Sequence, residues 1–449
     1  MKNILFFLAL LGGQAIAGTA ATQTAADADW PALIRGGNWP EILADARSRP
    51  GSCGDDAQAA ALHAHAEAAV HLGLWDEAAA ALDTCRSRLD TDAALLHTAL
   101  KLAVMTGDQA RMRDRGQRLV ALQPDNISGH LVVAETHLGD GTCTAARTHT
   151  ERILQLAPGH PAALALRGAC QLGERQSRAA YDSLNEAIGR VRIAPAAWHL
   201  WRAEASAQMG LWETSSRDAY VALLLEPSAD AYAMIGQSAL ALRDWPALQQ
   251  YASHALASGL DDPRLRRQLA TAQEELGNPQ EANATWQALL AAYPEDRQAR
   301  LQLARLATTE EDWPSAVRLL APLADTYQDG EALALTAFAL FRQGKTDAAR
   351  DHAANALALS PREAMAMLVL ADIALLENDA GAALGYCQRA RQLLPRQPLV
   401  LTTCARVNAA LRNLDVARAE LAIAEQLAPN DAEVRRARDA IGHAAGGAQ

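Results

Sequence analysis

The amino-acid sequence predicts an all-α fold, an α-solenoid of stacked helical hairpins, and three observations lead to this prediction. Half of the residues are apolar but only 4% are aromatic, a composition typical of Ala- and Leu-rich helices rather than of sheets. A Pro recurs at a nearly constant spacing along most of the chain. Between these Pro residues, apolar side chains recur at helical spacing, stop at a central Gly, Asn or Asp, and then recur again.

The first residues, MKNILFFLALLGGQAIAG, predict a signal peptide over residues 1–17. Lys2 provides the positive start, an apolar run covers residues 4–11, and Ala15 and Ala17 form a small-residue cleavage site. A membrane anchor is the alternative, but so short an apolar run does not cross a bilayer core. We therefore expect export to the periplasm, a mature chain that starts at Gly18, and no transmembrane segment.

The repeat is visible when two stretches of the chain are compared. GNPQEANATWQALLAAYP, residues 277–294, returns as GKTDAARDHAANALALSP, residues 344–361. Recurring Pro residues lie one or two periods of about 34 residues apart, at Pro124, Pro158, Pro227, Pro294, Pro361, Pro395 and Pro429. This period predicts eleven tandem units over residues 59–431, starting at residues 59, 93, 127, 161, 195, 229, 263, 297, 330, 364 and 398. Each unit is predicted to be two helices that bury their apolar stripes against neighbouring units.

The period, the helix–turn–helix pattern, the small–large–small packing positions and the closing Pro resemble the tetratricopeptide repeat family. The resemblance implies a right-handed superhelix whose first helices line a concave groove that holds a partner peptide or helix. The fifth unit departs from the family pattern, with one extra residue between Trp198 and Gly210. Residues 18–58 are predicted to form a degenerate repeat or cap, and residues 432–449 a capping helix and a short tail.

The six Cys residues form three consecutive pairs that the repeat register brings to the same end or middle of adjacent helices. These pairs are Cys53–Cys85, Cys143–Cys170 and Cys387–Cys404. An even number of Cys in an exported chain suits disulfides, and the register favours Cys143–Cys170 above the other two. The alternative is that they are buried thiols acting as small hydrophobic side chains.

Motifs for catalysis or cofactor binding are missing from the sequence, which has no P-loop, GxGxxG, HExxH or GxSxG. We therefore predict a non-enzyme without a cofactor. The net charge of −11 makes nucleic acid a poor partner. His63, Glu67 and His71 share one helix face, with His97 one unit later, and such a stripe could bind zinc or copper. A polar inner face is the competing interpretation, and we assign no metal.

The family's inward positions place an apolar groove on the ninth and tenth units. Its predicted members are Ala334, Phe338, Phe341, Met365, Leu368, Leu375 and Leu376, with Arg305, Arg342, Asp372 and Arg406 around them. An apolar groove rimmed by charge suits a partner helix or an extended peptide. In the alternative interpretation some of these residues pack under neighbouring helices. Among the Trp residues, only Trp198 and Trp201 escape a structural explanation.

Two functions remain open at this point. The first is a periplasmic scaffold that binds a protein or peptide partner in the groove, as an accessory of an envelope assembly or export process, with peripheral association with an envelope complex. The alternative is a chaperone-like protein that binds many exported unfolded polypeptides.

Overall fold

The computed structural model describes residues 30–48, 53–54, 56–326 and 328–446. Twenty-five α-helices and no β-strand occur among these residues, which confirms the all-α prediction. The predicted signal peptide, residues 1–17, lies outside the described residues. Of the described helices, none combines the length and the apolar character needed to cross a bilayer.

The helices follow one another as antiparallel pairs. They are α1 (Trp30–Gly36), α2 (Trp39–Arg47), α3 (Asp56–His71), α4 (Trp75–Thr84), α5 (Ala93–Thr106), α6 (Gln109–Leu122), α7 (Ile127–Gly139), α8 (Cys143–Leu156), α9 (Pro161–Gly173), α10 (Ser177–Gly189), α11 (Ala196–Gln208), α12 (Trp212–Leu225), α13 (Ala229–Leu242), α14 (Trp245–Ala257), α15 (Pro263–Glu275), α16 (Pro279–Ala292), α17 (Arg297–Thr309), α18 (Trp313–Ala321), α19 (Gly330–Arg342), α20 (Thr346–Leu359), α21 (Ala364–Leu376), α22 (Ala380–Leu393), α23 (Pro398–Ala410), α24 (Leu414–Leu427) and α25 (Ala432–Gly446). We call the odd-numbered helices from α3 to α23 the first helices.

From the α3–α4 hairpin to the α23–α24 hairpin, the turn inside each hairpin contains one residue in the left-handed backbone conformation. These residues are Gly73, Gly107, Gly141, Arg175, Gly210, Arg243, Gly277, Glu311, Gly344, Asn378 and Arg412. Gly adopts this conformation without steric cost, whereas a residue with a Cβ pays about 1 kcal/mol or more. The spacing is 35 residues before Gly210 and 33 residues after it, so the extra residue of the fifth unit is compensated within the next hairpin.

Acidic and amide side chains start many of the helices. Asp92 accepts hydrogen bonds from the backbone N–H groups of Ala94 and Leu95 at the start of α5, and Asp329 accepts from Glu331 and Ala332 at the start of α19. Such caps satisfy N–H groups that have no partner within the helix, and each stabilises it by about 1 kcal/mol. Helix starts are therefore specified locally, one hairpin at a time.

The described residues divide into two compact units, the first ending at residue 268 and the second beginning at residue 269. In the first unit, large side chains from successive hairpins interleave, including Leu119, Ile153, Leu166 and Trp198. Trp198 is only 1% exposed, and the partly buried Trp201 packs against the same cluster. Both side chains are therefore structural, because the compensated register places α11 like the other first helices.

In the second unit, small side chains at the helix crossings allow the backbones to approach closely. Ala337, Ala353 and Ala366 are fully buried between adjacent hairpins. The C-terminal helix α25 covers the last hairpin, and its apolar residues Val434 and Ala437 are fully buried in a cluster with α23 and α24. This contact removes the final apolar face from water.

Two of the three predicted Cys pairs are disulfides in the structure, Cys53–Cys85 with Cα atoms 5.1 Å apart and Cys387–Cys404 with Cα atoms 5.5 Å apart. Contrary to the prediction, Cys143 and Cys170 are free thiols. The Cys170 thiol donates to the backbone carbonyl of Cys143, with Sγ and O 3.8 Å apart, and so it is satisfied without a bond between the sulfurs. Burial and the neighbouring Cys143 thiol raise the pKa of Cys170, which favours the protonated and less nucleophilic form of the thiol.

Candidate partner-binding groove

The predicted groove residues lie on the first helices α17, α19, α21 and α23 of the second unit. Phe338, Phe341 and Met365 are partly buried and pack on one apolar cluster. Phe338 meets Trp313 edge to face, with ring centroids 5.9 Å apart, and Leu376 is 64% exposed. We call Phe338, Phe341 and Met365 the Phe338 surface.

Three predicted groove residues are buried in the structure and cannot contact a partner there. Ala334 is 0% exposed, Leu368 4% and Asp372 8%. Leu368 packs in a cluster with Cys387 from the following helix. For these residues the alternative interpretation is correct, because α21 carries apolar side chains on every face and its sequence pattern does not separate the inner face from the packed ones.

Phe338, Asp372 and Arg406 occupy the same position, the ninth, in three consecutive units. The Arg406 guanidinium lies 2.7 Å from the Asp372 carboxylate. Burial raises the pKa of Asp372, and the charge of Arg406 opposes that shift. Since the carboxylate is buried, this ion pair joins neighbouring first helices rather than offering charge to a ligand.

The C-terminal helix contacts the charged rim of the Phe338 surface. Arg342 donates to Glu433 of α25 at 2.8 Å, and Arg436 donates to the same oxygen at 2.6 Å. Arg436 also donates to Glu311 at 2.6 Å, and Arg305 at the other side donates to Glu331 at 2.5 Å. The sequence did not predict that α25 would engage the rim, because these contacts join residues 91 and 125 positions apart.

A second polar site lies on the first helices α3 and α5 of the first unit. Glu67 is 4% exposed, accepts a hydrogen bond from Thr98 at 2.5 Å and another from Lys101, and lies 3.4 Å from His71. Burial opposes ionisation of Glu67, but the hydrogen bonds from His71, Lys101 and Thr98 outweigh it and hold the pKa of the carboxyl well below its usual range. We call Glu67, Thr98, Lys101, His63 and His71 the Glu67 cluster.

The His residues of this cluster are engaged within the protein. His63 Nε2 lies 3.0 Å from Thr98 Oγ1, and the His71 ring stacks on Trp39 with centroids 3.9 Å apart. Burial lowers the pKa of both His63 and His97, so both rings are neutral at pH 7. Within the described residues no group of three ligands is arranged for a metal ion, and the contacts support the interpretation as a polar inner face.

One acidic residue of the same helix layer escaped the sequence analysis. Glu67, Lys101 and Glu135 lie 34 residues apart, in the ninth position of three consecutive units. Burial raises the pKa of Glu135 to about 7, and its Oε2 atom has no hydrogen-bond partner among the described residues. The signal that could have revealed Glu135 is the acid–base–acid order at one repeat position.

Comparisons with known proteins found matching family profiles and similar solved structures. Two family profiles described as tetratricopeptide repeat match residues 263–306 and 336–398. Similar solved structures include the APC/C hetero-tetramer Cut9–Hcn1 (14% identity, 84% of this chain and 82% of that chain, TM-score 0.44). Two others are a tetratricopeptide repeat protein from Parabacteroides merdae (15%, 55% and 94%, TM-score 0.40) and pilF from Pseudomonas aeruginosa (14%, 47% and 97%, TM-score 0.41). A search of curated protein sequences finds no match. The repeated hairpins and the matching profiles together show that the chain belongs to the tetratricopeptide repeat family.

Proposed function

We propose that this protein is a periplasmic scaffold that binds a protein or peptide partner along its first helices, as an accessory of an envelope assembly or export process. The observation that carries the proposal is the Phe338 surface, whose apolar side chains are partly exposed. Arg342 lies over the ring of Trp313, on which Phe338 packs. Burying one such side chain against a partner contributes about 1.5–3 kcal/mol. Charge at the rim contributes specificity and orientation.

Two further observations support the proposed location. The first residues have the pattern of a cleavable signal peptide. The Cys53–Cys85 and Cys387–Cys404 disulfides suit an oxidising compartment such as the periplasm. Sequencing the N-terminus of the periplasmic form tests the location: the expected first residue is Gly18, and an intact Met1 in the membrane fraction would contradict it.

Partner capture from a periplasmic extract tests the binding role. Leu376→Glu places a charge at a predicted groove position whose side chain is 64% exposed, so the fold is expected to tolerate it. Leu359→Glu is the matched control, because Leu359 is 48% exposed on the second helix α20. The wild-type chain and Leu359→Glu are expected to retain one stoichiometric partner that Leu376→Glu loses.

The same capture experiment distinguishes the scaffold from a chaperone-like protein. A scaffold retains one partner in a fixed ratio, whereas a chaperone-like protein retains many unrelated polypeptides in small amounts. Capture of many polypeptides, equally by all three chains, would reject both the scaffold and the role of the Phe338 surface.

A further inference from the structure

We propose that Glu135 is the recognition point for a basic side chain, Lys or Arg, of a peptide that lies along the first helices of the first unit. This inference rests on the proposed function, since it assumes that the first-helix face binds a polypeptide. It specifies that the bound polypeptide carries a basic residue, and it names a contact residue far along the chain from the Phe338 surface.

Glu135 occupies a defined position in the repeat. It follows Glu67 and Lys101 at the ninth position of successive units, and so it belongs to the same face of the first-helix layer. Lys101 is the cation nearest to Glu135 among the residues at this repeat position, but it donates to Glu67 on the preceding first helix. The next member of the row, Ala169, has no charge.

One oxygen of the Glu135 carboxyl group is buried and unsatisfied within the described part of the chain. Buried charged groups in proteins are normally paired, because desolvation of an unpaired charge is costly. The Oε2 atom of Glu135 has no hydrogen-bond partner among the described residues, and burial raises the pKa of the group to about 7. A cation that arrives from outside would pair with this carboxylate and restore its ionised form.

The surroundings of Glu135 favour a basic side chain over a metal ion as the cation. A divalent metal ion needs several ligands, and no group of three suitable side chains surrounds any site within the described part of the chain. Glu135 on α7 is partly exposed, so a side chain that lies along the first-helix face can approach its carboxyl group. A Lys or Arg side chain carries its charge at the end of a flexible aliphatic stem, which can extend to such a partly buried carboxylate. A basic peptide side chain therefore fits better than a free ion.

Isothermal titration of the mature chain with two synthetic peptides tests the proposal. The probes are acetyl-Ala-Ala-Lys-Ala-Ala-amide and the same peptide with norleucine, which keeps the stem and removes the charge. The Lys peptide is expected to bind about tenfold more tightly than the norleucine peptide. Titration at pH 7 in two buffers of different ionisation enthalpy is expected to show proton release, because binding ionises Glu135.

Two variants make this test specific. Glu135→Gln is expected to lose both the preference for Lys and the proton release. Glu151→Gln is the matched control, since Glu151 is exposed on α8 of the same hairpin, and it is expected to keep both. Equal affinity for the two peptides, no binding of either at millimolar concentration, or an unchanged preference in Glu135→Gln would overturn the proposal.

Failure of this inference can be told apart from failure of the proposed function. A stoichiometric partner captured equally by the wild-type chain and Glu135→Gln, together with equal affinity for the two peptides, means that the scaffold role stands and Glu135 is not the contact. A wild-type chain that captures no partner counts against the proposed function itself.

Discussion

Replacing Glu135 with Gln is expected to stabilise the free protein at pH 8 and to change its stability little at pH 5. Burial raises the pKa of Glu135 to about 7, whereas in the unfolded chain the carboxyl titrates near its ordinary value of about 4.3. A raised folded pKa means that the folded state favours the neutral carboxyl. The stability that the neutral carboxyl contributes to the folded state is fully present below the unfolded pKa and is lost as the pH rises through about 7.

The expected change in the free energy of unfolding follows from the shift in the pKa of Glu135. A difference of roughly 2.5 pKa units corresponds to about 3 kcal/mol at pH 8 and to about 1 kcal/mol or less at pH 5. These figures are upper limits, because the side chain is partly exposed and solvent screens its charge. Gln has nearly the same shape and no charge, so Glu135→Gln removes the cost of burying the carboxylate.

Urea denaturation followed by far-UV circular dichroism at pH 5 and pH 8 measures this difference. The midpoint for Glu135→Gln is expected to exceed that of the wild-type chain at pH 8 and to approach it at pH 5. Glu151→Gln, with the same change of charge at an exposed position, is expected to show no such dependence on pH. An equal difference at both pH values, or a less stable Glu135→Gln at pH 8, would refute the reasoning.

Two further substitutions test the polar contacts of each unit. Lys101→Met leaves Glu67 buried without its cation, and we expect urea denaturation to show a loss of about 3 kcal/mol in the free energy of unfolding. Lys345→Met, at an exposed position, is expected to change stability little. Equal effects of the two variants would show that the buried pair is not stabilising. Glu433→Gln weakens the contact with Arg342. Amide hydrogen exchange of α25 is then expected to accelerate about tenfold, which is equivalent to about 1.4 kcal/mol. Unchanged exchange rates would mean that apolar packing alone holds this helix.

The hairpins and their turns could be predicted from the sequence because they depend on local patterns. A helix is specified by apolar residues three and four positions apart, and a turn by Gly, Asn or Asp between two such stripes. The prediction held even where the turn residue is Arg243 or Glu311, since the apolar stripes on both sides kept their period. Helix pairing within a unit then follows from the short connection.

The groove residues depended on tertiary structure. The helix α21 has apolar residues on all its faces. Only its packing against α22 and α23 therefore decides that Leu368 is buried while Leu376 is exposed. The state of the Cys residues is similar: the register brings Cys143 and Cys170 together, but side-chain direction leaves the Cys170 thiol on a backbone carbonyl.

The sequence by itself therefore determined the repeat, the hairpins and the family to which they belong. Only the tertiary structure decided which charges are satisfied: Lys101 pairs with Glu67, and among the described residues Glu135 Oε2 has no hydrogen-bond partner. The physical reason is the separation along the chain between the residues that interact. Helix and turn patterns act over a few residues, whereas an ion pair between equivalent positions joins residues 34 apart and depends on how neighbouring hairpins stack and how deeply they bury each side chain.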